Sequence, residues 1–191
     1  MMGLKTIEQF AMKRILLIIL MSPTICAVSA QKYITEKSKV IFFSDAPIED
    51  IVAENKNVSG IVDLSTLQMV FSIPIMDFQF EKKLMKEHFN EKYMETEKFP
   101  KAIFQGHIIN VVIKESGEQK VIAKGKLSIH GITKEVEIPG TFNISQENKI
   151  LIKSTFLIKL SDYSINIPQL LWQNIAEQVE VKLDFQLKPK S

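Results

Sequence analysis

Few side chains in this sequence are equipped for catalysis. The three histidines are His88, His107 and His130, and Glu87, Glu91, Glu95 and Glu97 crowd around the first of them. A hydrolytic zinc site of the H-E-x-x-H kind needs two histidines one helical turn apart with a glutamate between them. Lys92 stands where the second would be, so no metal ligands are expected and His88 reads as a structural or capping residue. The four glutamates fall on the polar face of a short helix and at its exit, the pattern of a solvated surface. His130 sits in a turn, and His107 alternates outward. No G-x-S-x-G occurs, and Cys26, the one cysteine, lies in an N-terminal leader. Serine and cysteine nucleophiles thus lose their usual signatures, and no catalytic residue is expected. Asn57-Val58-Ser59 and Asn143-Ile144-Ser145 match the glycosylation acceptor pattern, which is short and common by chance.

The stretch around His88 organises the chain. Residues 77–80 end a strand, and residues 82–93 are charged, with Leu84, Met85, Phe89 and Tyr93 spaced as one stripe of a short helix. Phe99-Pro100 punctuates, because proline holds its predecessor extended. From Ile103 a β-rich run returns the chain to a sheet. A strand, a helical flap and a long strand predict a lid over the end of an antiparallel structure.

Residues 1–30 read as a cleaved signal peptide. Lys13 and Arg14 precede the apolar run 15–21, Pro23 breaks it, and Val28-Ser29-Ala30 offers a cleavage site before Gln31. The apolar core is too short to span a bilayer comfortably. Ile25 before Cys26 is not the small residue a lipoprotein signal requires. Export to the periplasm or beyond is therefore expected, with residues 31–191 forming one domain free of cysteine. At roughly 160 residues such a domain buries enough core to stand without a disulfide. Lys5, Lys13 and Arg14 against Glu8 carry the whole formal charge of +2, so the mature chain is near neutral. Nucleic acid is an unsuited partner for it.

Beyond the leader the period is mostly two. Residues 39–43 (KVIFF) predict a strand, 48–57 are less regular, and 58–64 resume as a strand. In 67–75 the odd positions are apolar, with Pro74 pointing to an edge or a bulge. Phe78 and Phe80 reverse the parity near Met76-Asp77, which suits a bulge. After a turn at Ser116-Gly117-Glu118, Val121, Ala123, Gly125, Leu127 and Ile129 share a face. Val136, Ile138, Phe142 and Ile144 follow, then Ile150, Ile152, Phe156, Ile158 and Leu160, and last Val179, Val181, Leu183, Phe185 and Leu187. About eight strands with one apolar face each, and no long helix to cover them, predict an all-β, eight-stranded antiparallel β-barrel with a short helical flap. Small residues at Gly106, Ala123 and Gly125 leave room inside, unless large residues opposite fill it; pattern alone leaves a cavity and a filled barrel both open.

Two runs carry a family likeness. Residues 87–108 (EHFNEKYMETEKFPKAIFQGHI) and 125–138 (GKLSIHGITKEVEI) are similar to the YceI-like family. In that family a helix with a histidine leads to "yP-x-a-x-F", here Phe99-Pro100-Lys101-Ala102-Ile103-Phe104. A later hairpin reads "G-x-L-x-h-G-v-t-k", here Gly125 through Lys134. The likeness covers about residues 39–188. It implies a lipocalin-like barrel, exported, holding a polyisoprenoid or other long-chain amphiphile such as a fatty-acid-like lipid, with no other cofactor. His88 then also becomes a candidate polar contact for a head group at the cavity mouth. The family's Arg-Asp before that histidine is Lys86-Glu87 here, and its following leucine is Phe89. The expected lining is Phe71, Phe78, Phe80, His88, Phe89, Phe104, Ala123, Gly125, Phe142, Phe156 and Phe185. Leucine at Gly125 is then expected to abolish uptake without unfolding the protein. A homodimer is compatible with this reading. The alternative is a filled barrel serving the envelope as a structural or interaction module.

Overall fold

The computed structural model describes residues 32–45, 50–109, 117–166 and 176–190. The leader with Cys26, and Ser116 of the expected turn, lie outside them. The strands are β1 (Lys32–Ser44), β2 (Ile51–Asn55), β3 (Ser59–Asp63), β4 (Gln68–Pro74), β5 (Gln79–Phe80), β6 (Lys101–Ile109), β7 (Gln119–Ile129), β8 (Ile132–Ile144), β9 (Ile150–Lys159) and β10 (Gln178–Pro189). Among the described residues one α-helix, α1 (Lys83–His88), stands between β5 and β6.

Eight of these strands close an antiparallel ring in the order β1-β3-β4-β6-β7-β8-β9-β10, with β10 pairing back onto β1. Closure is what a set of one-sided strands requires, since it buries each apolar face and leaves the ring without edges. β1 is long enough to serve two neighbours. Its first residues pair with β3 and its last five with β2, which carries β5 and the start of the lid.

Where the structure departs from the alternation, a local cause is visible. β1 begins at Lys32 rather than Lys39, because its pairing with β10 shifts register between Thr35 and Lys37 and the shift scrambles the period. The irregular stretch 48–57 contains β2. Its inward row, Ile51, Ala53 and Asn55, includes a buried polar residue that hides the pattern. Asn55 is satisfied there by donating from Nδ2 to the Pro74 carbonyl at 2.7 Å. The parity reversal after β4 is a 3-10 turn, Ile75–Asp77, in place of a bulge. Pro74 ends β4, a position proline tolerates.

The barrel interior divides into two halves. In the lower half Tyr33, Val62, Met69, Ile108, Phe142, Ile150 and Leu187 are buried as part of the hydrophobic core. Tyr33 closes this end, its hydroxyl donating to Asn148 Oδ1 at 2.6 Å in the β8–β9 turn. The upper half, beneath α1, is hollow. Pairing between β8 and β9 is confined to Gly140–Ile144 with Ile150–Ser154. Above that ladder the two strands are linked through the 3-10 turn Leu160–Tyr163 that follows β9. Lys134 pairs with Asp162 at 2.8 Å, and His130 Nδ1 donates to the Tyr163 carbonyl at 3.2 Å. His130 thus bonds across the fold and not within its own turn.

Burial of the tyrosines sets an alkaline limit on stability. Desolvation raises the phenol of Tyr33 above its ordinary value, and it raises Tyr93 and Tyr163 likewise. The unfolded phenols ionise first, near pH ~10, so their contribution is complete below that value and is lost as pH rises through the higher folded values. The expected result is a Tm that falls steeply above about pH 10, with a shallower fall in Tyr33→Phe. Thermal unfolding followed across that range checks it, and coincident alkaline limbs for the two proteins would refute it.

Candidate functional site

The hollow upper half holds a cavity of about 390 Å³. Its wall is built by inward positions from around the ring: Val40 and Phe42 of β1, Phe71 and Ile73 of β4, Ala102 of β6, Leu127 and Ile129 of β7, Phe156 and Ile158 of β9, and Val179, Val181, Leu183 and Phe185 of β10. These residues come together because a strand turns alternate side chains to one face, and the closed ring makes that face an interior.

The roof is the lid. Residues 83–88 form α1, and Phe89–Tyr93 continue it as one π-helical turn. Met85, His88, Phe89 and Tyr93 face the cavity, whereas Leu84 is 60% exposed and does not belong to the stripe. Adjacent helix positions lie about 100° apart, so Leu84 and Met85 cannot share one narrow face. Phe89 is the anchor. Its ring stacks on Phe42 at 5.4 Å between centroids and meets Phe80 at 5.0 Å and Phe78 at 5.8 Å. Such aromatic pairs contribute ~0.5–1.5 kcal/mol each beyond the area they bury. Phe78 and Phe80 follow the 3-10 turn, which reverses parity and so directs both rings into this cluster.

Polar groups are sparse at the cavity. Among the described residues the lining contains no Lys, Arg, Asp or Glu. Its polar side chains are Ser44, His88 and Tyr93, all at the lid end. Ser44 Oγ accepts the Ala176 N–H at 3.0 Å. Burial holds the Tyr93 phenol above its ordinary value, so it remains a neutral donor at physiological pH. Lys86, which stands where the family has arginine, donates to Gln79 Oε1 at 3.1 Å and is not part of the lining. Glu87, Glu91 and Glu97 are exposed to solvent. Among the described residues no group of three His, Cys, Asp or Glu side chains could hold a metal ion.

Of the residues expected at the site, Phe71, Phe78, Phe80, His88, Phe89, Phe156 and Phe185 line this cavity. Phe104, Ala123, Gly125 and Phe142 do not. Phe142 is buried in the filled lower half, and Ala123 pairs with Ile138 and Ile108 below the cavity. Gly125 faces Gly106 directly across β6 and β7. A Cβ at 125 would lie 2.3 Å from the Gln105 carbonyl oxygen and 2.5 Å from the Gly106 Cα. Its smallness serves a close approach of two backbones and creates no room for a ligand. Gly106 in turn lies under the Phe104 ring, whose Cζ would be 2.7 Å from a Cβ there. Met94 and Ile165 line the cavity without having been signalled by the alternation, since they belong to the lid exit and to the turn after β9.

A larger depression of about 800 Å³ runs across the outer faces of β1 and β6 through β10. It is an open trough crossed by Lys39, Lys120, Lys153, Lys182 and Asp184 and it encloses nothing.

Comparison with known proteins fits this geometry. The family model described as the YceI-like domain matches residues 32–187. The chain belongs to the YceI-like family. Solved structures share its fold. One is a polyisoprenoid binding domain from Saccharophagus degradans implicated in plant cell wall breakdown, 14% identical, with a TM-score of 0.72 over 84% of this chain and 99% of that one. Another is Burkholderia cenocepacia BcnA, 19% identical, with a TM-score of 0.66 over 78% of this chain and 95% of that one. A third is the Campylobacter jejuni YCEI protein, 15% identical, at a TM-score of 0.57 over 73% and 84%. No curated protein matches the sequence significantly. The two YceI-like motifs prove to be halves of one contact. The Phe99 ring lies where a Cβ on Gly131 would be, 2.6 Å from its Cε1, and packs edge-on to His130 at 4.6 Å. Residues 130 and 131 both have positive φ, +50° and +76°, forming the two-residue turn between β7 and β8. Phe99 therefore seats the exit of the lid on that hairpin.

Proposed function

We propose that this YceI-like protein is an exported carrier that sequesters an amphiphile, a polyisoprenoid or other long-chain lipid, with its apolar chain in the upper cavity and its polar end beneath the lid. The observation that carries the reading is the lining: an almost wholly apolar wall whose few polar side chains, among the described residues, lie together at the lid end. Such a site binds by removing chain methylenes from water, at about 0.8 kcal/mol each, and orients its ligand through a few polar anchors. Tyr93 as donor and His88 beside it suit a neutral head group, such as an alcohol, carbonyl or amide. With no charged side chain among the described lining residues, a carboxylate or phosphate buried there would lack a counter-ion from them. The name of the Saccharophagus degradans domain supports the same ligand class.

The test is native mass spectrometry of the protein purified from its own envelope, followed by solvent extraction. A stoichiometric adduct released as a neutral isoprenoid or fatty amide is expected. A protein that is bare on isolation, and stays bare after incubation with such lipids, would leave the barrel without a cargo.

A further inference from the structure

Resting on the carrier reading, we infer that the cargo accommodated by this chain is short, a farnesyl-sized isoprenoid or a fatty chain of comparable length, because the cavity has a built floor. Phe71 of β4 and Phe185 of β10 reach across the barrel and stack at 4.8 Å between centroids, with 29° between their planes. Both rings are buried, and both line the cavity. Phe71 can lie across the barrel because its pairing partner on β3 is Gly60. A Cβ on Gly60 would fall 2.1 Å from Phe71 Cδ1, so the ring occupies the space of a side chain at 60. Below this floor the buried side chains of Phe142, Ile150, Leu187, Val62 and Tyr33 close the passage toward the other end, and the Tyr33–Asn148 hydrogen bond pins the plug.

The cargo is confined to the space between the floor and the lid. That space is about 390 Å³. Taking a chain carbon with its hydrogens to fill slightly less than a water molecule in the liquid, roughly 25–30 Å³, it holds about thirteen to sixteen of them. A farnesyl chain reaches the floor with its head group at Tyr93 and His88. A chain one isoprene unit longer must either project past the lid or displace Phe71 and Phe185, and the added carbons gain nothing from burial.

The experiment titrates the delipidated protein with geraniol, farnesol, geranylgeraniol and solanesol, isoprenols of increasing length, by calorimetry from a common cyclodextrin carrier. Affinity is expected to rise by at least about tenfold from geraniol to farnesol and then to level off or fall. Affinity that climbs steadily through geranylgeraniol to solanesol overturns the floor while leaving the carrier reading intact. Binding of none of the four overturns the carrier reading and this inference with it. Phe71→Ala, checked for fold by circular dichroism, is expected to move the optimum to geranylgeraniol, and an unmoved optimum in a folded variant counts against the floor. Should that variant not fold, the series on the unaltered protein decides alone.

Discussion

Phenylalanine in place of Ala102 is expected to leave the barrel folded and to weaken cargo binding about a thousand-fold. Ala102 is an inward residue of β6, opposite Ile73 of β4, and its methyl group is part of the cavity wall. The replacement adds a ring of six carbons to a space of about 390 Å³. If that ring displaces about five chain carbons at ~0.8 kcal/mol each, binding loses ~4 kcal/mol, which is about three orders of magnitude. The cost to the fold is small, below about 1 kcal/mol, because the ring enters a hollow and not a close-packed region. Calorimetric titration with farnesol together with urea unfolding separates the two quantities. Uptake at the original affinity would place the cargo elsewhere than in this cavity.

Adding bulk at Gly125 is expected to do the opposite, destroying the fold instead of filling the site. The first carbon of any side chain there meets the Gln105 carbonyl and the Gly106 Cα, and backbone cannot step aside as a flexible side chain does. Overpacking of this kind costs about 3 kcal/mol or more, which for a domain of this size lowers Tm by roughly 6–12 °C. Gly125→Ala is expected to show that loss, and Gly125→Leu to accumulate as unfolded chain, since the whole stability of a domain is only ~5–15 kcal/mol. Gly125→Ala unfolding at the original temperature would mean that β6 and β7 are not held at this approach. Both substitutions enlarge a small residue of the barrel wall, yet one position faces a void and the other a neighbouring strand.

That contrast marks where the sequence is legible. Alternation from Val121 to Ile129 and from Val179 to Leu187 identifies the inward faces, because a side-chain period of two is a property of each strand by itself. The absence of long helices leaves closure as the way to bury eight such faces, so the barrel with its flap follows from one-dimensional information. The family motifs are legible too, although the reason for their joint occurrence, Phe99 seated on Gly131, is a contact between segments about thirty residues apart. The aromatic residues at Phe71, Phe78, Phe80, Phe89, Phe156 and Phe185 could be named as candidates because inward aromatics must form either core or cavity wall.

Which of those two they form depends on height within the barrel, and height depends on register between strands. Phe142 and Phe156 read alike along the chain, yet the pairing of β8 with β9 puts one in the plug and the other in the wall. The small residues mislead for the same reason. Gly60 makes room for the Phe71 ring of β4, Gly106 for the Lys124 carbonyl of β7, and Gly125 for the backbone of β6, all of them demands made by a neighbouring strand. By itself the sequence determined the strands, their inward faces, the closed architecture and the family, because these rest on local periodicity and on short motifs. Only the tertiary structure decided that the barrel is hollow above Phe71 and Phe185 and filled below them, because packing volume is settled between residues that the chain keeps far apart.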